Sequence, residues 1–424
     1  MTADEQRTFG KIARRLIPFM MLLYLVSFLD RVNVGFAALT MNHDLGFSPE
    51  IYGNGAGILF LGYFLFQVPS NVALHKFGTR AVIMPIMIAW GLVSTAMAFV
   101  TGPASFYTLR FLLGAAEAGF FPGMILYLTY WFPAAVRGRI SGAFLLALPL
   151  SSVLGAPAST VLLGIRTLGL QGWQWLFILQ GVPAVLLGLL ALRVLTDRPM
   201  EAGWLTPAEK SWLAAELAKE HRAGDPAQRF SLREAVLDVR VWTFALVYFS
   251  AVFGFYGITF WLPQILKSFG GMTNTQVGLL TAIPYLMAVP AMYFWGAHSD
   301  RTGERAWHVA LACFAAGIGF AASAIFSGLP PLAFIALAVA AASIYSVIPV
   351  FWTLPTRVLA GVGAAGGIAL INAFGNLSGY FGPLLIGYVR QTTGSYAGGL
   401  LTLAGFAMLA GLLAVVGGGR RRPA

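Results

Sequence analysis

The chain repeats one pattern of ten residues, first as NVALHKFGTR at residues 71–80 and again as GAHSDRTGER at residues 296–305. Both copies follow an apolar run, and both place a glycine, Gly78 or Gly303, two residues before an arginine. A glycine adopts the left-handed backbone of a tight turn at no steric cost, and basic residues are favoured beside the carboxyl ends of helices. The pattern therefore predicts the same short turn between two helices in each half of the chain.

The sequence around these turns is too apolar for a soluble protein. Of its 424 residues, 58% are hydrophobic and 10% are charged, and the mean hydropathy is +0.77, whereas soluble domains carry about 25% charged residues. A helix needs about 20 apolar residues to cross a bilayer core. Such runs recur near residues 16–39, 52–74, 81–100, 105–132, 140–163, 173–195, 241–266, 276–297, 307–327, 331–355, 365–389 and 396–418. We expect an all-α integral membrane protein with twelve transmembrane helices in two pseudo-symmetric six-helix halves.

The only long polar stretch, residues 196–240, is expected to link an N-terminal half, residues 1–195, to a C-terminal half, residues 241–424. It contains two capping boxes, TPAE at 206–209 and SLRE at 231–234, which predict amphipathic helices. The apolar stripe of this linker is expected to face either lipid headgroups or the base of the bundle. It consists of Leu205, Trp212, Leu213 and Leu217.

The basic residues predict the orientation of the chain. Most of the 27 Lys and Arg residues lie in the terminal segments, the linker and the turns between even- and odd-numbered spans. Because Lys and Arg are retained on the cytoplasmic side, both termini are expected in the cytoplasm, with the spans in the inner membrane. A basic face on a polar domain, as nucleic-acid binding requires, is lacking in the sequence.

Four ionisable residues fall deep within the predicted spans, Asp30 and Arg31 in the first and Arg110 and Glu117 in the fourth. Charged groups are costly at membrane depth, so each is a functional candidate by default. A rise of about 1.5 Å per residue puts Asp30 and Arg110 at a similar depth. The same geometry puts Glu117 on the helix face of Arg110, roughly 10 Å away.

These depths predict an ion pair between Asp30 and Arg110, which leaves Arg31 for an anionic substrate. Arg31 is the one basic residue that remains at the depth of Glu117, so Glu117 is expected to be protonated or to share Arg31. Asp30, Glu117 and Arg110 are then candidates for proton coupling. The alternative is that these charges have a purely structural role and only hold the helices of the bundle together, as buried ion pairs can.

Neutral polar residues are the candidates in the second half, where the sequence has no charge deep in a predicted span. Asn372 and Asn376 lie in the eleventh span and are expected either to contact the substrate or to hydrogen-bond between helices. Trp352, in the tenth span, is bracketed by Pro349 and Pro355. Prolines free backbone groups that can line a cavity.

Three longer stretches resemble one known family. YLVSFLDRVNVG at 24–35, RFLLGAAEAG at 110–119 and INAFGN at 371–376 are similar to the anion:cation symporter family of the major facilitator superfamily, and the closest likeness is to bacterial importers of tartrate, phthalate and hydroxyphenylacetate. The loop at 296–305 also matches the superfamily's signature loop, whereas the first copy has His75 where an acid is usual.

The resemblance implies that positions matching Tyr63, Trp352 and Asn372 face the substrate, and it implies the same coupling and binding roles for the four buried charges. We expect the two loops to control gating and topology rather than affinity. Their candidate residues are His75, Lys76, Gly78, Arg80, Asp300, Arg301, Gly303 and Arg305.

The expected function is proton-coupled symport of a small organic anion into the cell by alternating access, with protons, the anion and membrane lipids as partners of a monomer. The alternatives are a proton-coupled antiporter or efflux carrier and, less favoured, a transporter-like sensor. A membrane enzyme would need a nucleophile, a base or a metal cluster in a span. The four charges do not form one, so no enzymatic activity, cofactor or metal is expected.

Overall fold

The computed structural model describes residues 3–133, 136–137, 140, 144–223, 236–358 and 364–418. These residues are helical and contain no β-strand beyond an isolated bridge between Thr167 and Leu170. The first six spans comprise the helices Ala3–Asp44, Pro49–Phe77, Thr79–Ala96 continued by the 3-10 turn Met97–Phe99, Pro103–Glu117 with Phe120–Trp131, Ala147–Leu162 and Gly172–Val194.

The second six spans follow the same order. They comprise Val239–Ser268, Asn274–Thr302, Ala306–Ile325, Pro330–Phe351 with Thr353–Val358, Ala364–Thr393 and Ala397–Gly418. Within the described residues, ten helical segments are long and apolar enough to cross a membrane, and Ala147–Leu162 is a shorter apolar helix. The predicted all-helical membrane fold is confirmed.

The contacts between the two halves obey a pseudo-two-fold relation. The second span packs on the eleventh and the fifth packs on the eighth, while the first span packs on the seventh. Exchanging the halves maps the second span onto the eighth and the eleventh onto the fifth, so the first two contacts are equivalent and the third maps onto itself. This relation is the structural counterpart of the sequence repeat.

Both repeated loops form the predicted tight turn. Gly78 has a φ of 86° and connects the second and third spans, while Gly303 has a φ of 68° and follows the eighth span. Both values lie in the region that L-residues with a side chain rarely adopt. The glycines are therefore required by the backbone at these two positions.

The linker contains a 3-10 turn, Pro199–Glu201, and a helix, Pro207–Ala223. This helix lies against the start of the first span, because the Phe9 and Trp212 ring centroids are 5.0 Å apart and Trp212 Nε1 donates to Glu5 Oε1 at 3.2 Å. Leu205 and Leu213 are buried. The apolar stripe therefore faces the base of the bundle, which is one of the two surfaces expected for it. The second capping box, residues 231–234, lies outside the described residues.

The bundle is closed at the end opposite the linker. The second and eleventh spans approach so closely that a Cβ on Gly387 would lie 2.5 Å from the Pro49 carbonyl oxygen. Beside this contact, the Tyr52 hydroxyl donates to the Phe260 carbonyl at 2.7 Å, and Asn42 Nδ2 lies 3.4 Å from Gln264 Oε1. Both contacts join the N-terminal half to the seventh span.

We expect Gly387→Val to open this end, because its side chain cannot fit against the Pro49 carbonyl. Overpacking costs about 1–3 kcal/mol, which favours the open arrangement by about fivefold or more. The measurement is the labelling rate of Asn42→Cys by a membrane-impermeant maleimide in a Cys313→Ser background, because Cys313 is the one cysteine of the sequence. Gly405→Val is the matched control, since no atom lies within 4 Å of a Cβ there. Equal labelling in both variants would contradict the conclusion that the Gly387–Pro49 contact closes this end of the bundle.

Candidate functional site

The buried charges lie on the first and fourth spans. Asp30, Arg110 and Glu117 have no solvent-exposed side-chain surface, whereas the Arg31 side chain is 14% exposed. The fourth span is interrupted directly after Glu117, where the helix Pro103–Glu117 ends and Phe120–Trp131 begins. Glu117 is thus the buried last residue of the helix Pro103–Glu117.

Arg31 and Glu117 form a buried ion pair. Arg31 donates to Glu117 Oε2 through Nε at 3.0 Å and through Nη2 at 2.7 Å. The other carboxylate oxygen, Oε1, is buried and has no hydrogen-bond partner among the described residues. Glu117 therefore shares Arg31, as one of the two sequence-based alternatives proposed, and half of its hydrogen-bonding capacity is unused.

Aromatic side chains from both halves surround the Arg31 guanidinium. The centre of the Tyr63 ring lies 5.2 Å from the Arg31 guanidinium carbon, and the phenol of Tyr256, on the seventh span, interacts with the same guanidinium. Tyr248, two helical turns before Tyr256 on the seventh span, has its ring centroid 4.9 Å from that of Trp352 on the tenth span. We call the four aromatic residues that lie from Arg31 towards the tenth span, Tyr63, Tyr256, Tyr248 and Trp352, the aromatic path.

The expected ion pair between Asp30 and Arg110 does not form. Asp30 instead accepts hydrogen bonds from Trp90 Nε1 at 2.5 Å, Ser94 Oγ at 2.8 Å and Asn33 Nδ2 at 3.3 Å. The prediction was wrong because depth does not fix direction. Successive helical residues point about 100° apart, so Asp30 faces the third span while Arg31 faces the fourth.

Arg110 lies against the backbone of the second span. Its Nε donates to the Gly55 carbonyl at 3.1 Å and its Nη2 donates to the Ala56 carbonyl at 3.0 Å. Nη1 is buried without a partner among the described residues. The Phe260 ring of the C-terminal half lies 5.9 Å from the guanidinium. Arg110 therefore reaches the closed contact between the halves.

The amides of the eleventh span bond to each other, since Asn376 Nδ2 donates to Asn372 Oδ1 at 3.1 Å. Both residues are half-buried. The hydrogen bond runs within one helix, so it is neither of the two contacts expected for them. Trp352 lies at the interruption between Pro330–Phe351 and Thr353–Val358.

Sequence reasoning missed Tyr256, Tyr248, Trp90 and Ser94. The two tyrosines stand in an apolar span where nothing separates them from ordinary packing aromatics. Trp90 and Ser94 did carry a signal, because polar groups spaced four residues apart share one helix face.

The loop residues lie at the linker end of the bundle, away from the buried charges. Arg305 pairs with Asp300 at 2.6 Å and donates to Ser299 Oγ at 2.9 Å. In the first loop, the Arg80 backbone N–H donates to Asp197 Oδ1 at 2.8 Å, and its guanidinium donates to the Leu192 carbonyl. Lys76 lies over the Phe77 ring, and Arg301 is exposed. The side chain of His75 lies outside the described residues.

The sequence profile of the Major Facilitator Superfamily matches residues 20–368. The chain belongs to this superfamily.

Individual members and structures agree with that assignment. A "Putative tartrate transporter" of Agrobacterium vitis is 49% identical over 98% of this chain and 96% of its own length. A "Quinolone resistance transporter" of Acinetobacter baumannii is 43% identical over 96% of this chain and 94% of its own. The crystal structure of a D-xylose-proton symporter superposes with a TM-score of 0.75 at 16% identity, covering 94% of this chain and 96% of that one. The superfamily resemblance is confirmed, and the chain is a multi-pass membrane transporter rather than an enzyme.

We expect substitutions of Arg31 and Glu117 to have coupled effects on the stability of this transporter. Arg31→Ala leaves a buried carboxylate without its cation, which costs about 3–5 kcal/mol, so the apparent unfolding temperature should fall. Glu117→Gln in the same chain removes the orphaned charge and should restore most of the loss. Thermal unfolding of the single and double variants in detergent measures the coupling, with exposed Arg193→Ala as the control. A double variant as unstable as Arg31→Ala would show that the pair is not coupled.

Proposed function

We propose that the protein imports a small organic anion, with a carboxylate group, together with protons. The observation that carries this proposal is the Arg31–Glu117 ion pair, in which Arg31 keeps 14% exposure and Glu117 keeps one unpartnered oxygen. A guanidinium is the preferred donor for a carboxylate in a low-dielectric site. The same guanidinium can therefore serve either Glu117 or a substrate.

Competition for Arg31 supplies the coupling. A substrate carboxylate that takes the Arg31 donors leaves Glu117 buried without a cation. An uncompensated buried charge costs several kcal/mol, so the carboxylate is neutralised by binding a proton. Anion and proton then occupy the site together, and the loaded site carries no additional charge. A neutral loaded site can close and reopen at low cost, whereas a half-loaded site resists closure.

The substrate body is proposed to lie along the aromatic path. Tyr63 and Tyr256 flank Arg31, and Trp352 ends the path on the tenth span. The amides of Asn372 and Asn376 offer polar contacts once their mutual hydrogen bond opens. Rings beside one cation suit a compact or aromatic carboxylate, and the similarity to a chain named for tartrate transport supports the carboxylate class.

Asp30 and Arg110 are proposed as the second part of the coupling machinery. Asp30 accepts hydrogen bonds from three neutral donors and from no cation among the described residues, so binding of a proton would weaken its role as an acceptor. Arg110 donates hydrogen bonds to the second span at the point where that span contacts the C-terminal half. Loss of these hydrogen bonds would alter how the second span closes against that half.

Transport is proposed to proceed by alternating access between residues 1–195 and 241–424, joined by the linker 196–240. Both termini are proposed to lie in the cytoplasm, with the spans in the bacterial inner membrane. The closed end then faces away from the cytoplasm, and the two loops at the linker end control opening there. Asp300 and Arg305 pair directly at that end, which supports a gating role.

A second candidate is proton-coupled export. It is supported by the 43% identity to a protein named for quinolone resistance. The two functions differ in the gradient that drives them, because a symporter accumulates its substrate along an inward proton gradient and an antiporter expels it.

We expect Glu117→Gln to separate exchange from accumulation. The amide mimics the protonated acid, so the loaded carrier can still close and reopen and exchange should persist. Return of the empty carrier requires Glu117 to lose its proton and pair again with Arg31, so accumulation driven by a pH gradient should collapse to near background. The measurement is counterflow and gradient-driven uptake of a labelled carboxylate in proteoliposomes. The panel is tartrate, phthalate and hydroxyphenylacetate.

Glu50→Gln is the control for this experiment, since Glu50 is an exposed carboxylate at the start of the second span. It should leave both activities unchanged. If Glu117→Gln accumulated substrate as well as the wild type does, Glu117 would not be an obligatory proton site. If only an outward proton gradient drove accumulation, export would replace symport as the function.

A further inference from the structure

A basic pocket lies where the first span meets the linker. It has a volume of about 470 Å³ and is lined by Lys11, Arg14, Arg15 and Trp204. The three cations come from one helix, and the tryptophan comes from the linker. The pocket opens at the surface of the bundle and contains none of the residues assigned to transport.

Two of the three cations in this pocket have no acidic partner among the described residues. Lys11 is paired with Glu209 at 2.8 Å, and its ammonium holds the pKa of that carboxyl below its usual value. Arg14 Nε donates to the Gly10 carbonyl at 3.1 Å, its one hydrogen bond within the part of the chain that the structure describes. The Arg15 guanidinium lies 5.1 Å from the centre of the Trp204 ring. Both arginines are exposed, so most of their donors remain available to a ligand.

Trp204 gives the pocket a fixed wall. Its ring stacks on Trp131 of the fourth span at 5.4 Å with an interplanar angle of 13°, and the Arg15 guanidinium lies over the ring as well. Its Nε1 is buried and has no acceptor among the described residues. Trp204 therefore brings an unused N–H donor to the pocket.

The position of the pocket indicates what it meets in a membrane. Arg14 and Arg15 directly precede Leu16, where the predicted apolar run of the first span begins. Basic residues at such a boundary lie level with lipid headgroups, and tryptophan is enriched at the same level. Paired guanidinium groups match the geometry of a phosphate.

We propose that this pocket binds a phosphate-bearing anion, seated as the headgroup of an anionic phospholipid. The phosphate bridges Arg14 and Arg15, while the acyl chains follow the exposed apolar residues Pro18 and Leu22 of the same helix. Occupancy would tie the linker to the first span, because the pocket joins Trp204 to Arg15. This site is separate from the transport site and does not depend on the substrate.

Native mass spectrometry of the purified full-length chain tests this site. Titration with phosphatidylglycerol should reveal one lipid bound more tightly than the rest, and phosphatidylcholine should not compete for it. Arg14→Gln/Arg15→Gln should weaken the tight binding by about tenfold or more, because charge-assisted hydrogen bonds to the phosphate are lost. Both side chains are exposed, so folding should be preserved, and size-exclusion chromatography checks it.

Arg193→Gln/Arg198→Gln is the matched control, because it removes the same charge from two exposed arginines near the linker. It should leave the tight binding unchanged. Equal loss in the two double variants, or tight binding that survives Arg14→Gln/Arg15→Gln, would overturn the proposal. Competition by glycerol 3-phosphate separates the two sources of phosphate. No displacement identifies the lipid, whereas displacement at comparable concentration identifies a soluble phosphate ester as the ligand of the same site.

Discussion

The buried ion pair between Arg31 and Glu117 is the constraint on which the account of this transporter depends. Removing two charges from water costs several kcal/mol per ion, and the attraction between them must offset that cost. Here only one carboxylate oxygen receives the arginine, and the other has no partner among the described residues. The pair is therefore satisfied enough to persist and incomplete enough to be exchanged for a better ligand. That balance is what the proposed transport of an anion requires.

The fold places this pair in the N-terminal half, beside the boundary with the C-terminal half. Arg31 and Glu117 both belong to the N-terminal half, whereas Tyr256 comes from the seventh span and lies beside the guanidinium. The contacts that close the opposite end involve the first, second, seventh and eleventh spans, of which the first and seventh carry Arg31 and Tyr256. A change in the charge of the pair can thus act on the boundary between the halves through directly packed side chains. The linker helix and the two glycine turns lie at the other end of those spans.

The sequence allowed the elements to be predicted better than their directions. Apolar runs located the spans, because a membrane demands about 20 such residues each time, and Gly78 and Gly303 marked two turns because the backbone there has a positive φ. The four buried charges were also identified, since their cost at membrane depth makes them conspicuous. The partner of Asp30 was not, because counting residues gives depth and leaves rotation about the helix axis undetermined. Tyr256 could not be identified either, since an aromatic residue in an apolar span has many uses.

The most direct test of the central claim is the number of protons taken up when the anion binds. Calorimetric titration of purified protein with the transported carboxylate, repeated in buffers of different ionisation enthalpy, measures that number at constant pH. The competition for Arg31 predicts that the wild-type protein takes up about one proton more per bound anion than Glu117→Gln does. The Glu117 carboxylate binds a proton when the anion takes its arginine, whereas the amide of the variant cannot. Equal proton uptake by the two proteins would contradict the account, and Glu117 would then be a structural partner of Arg31 rather than its proton-binding counterpart.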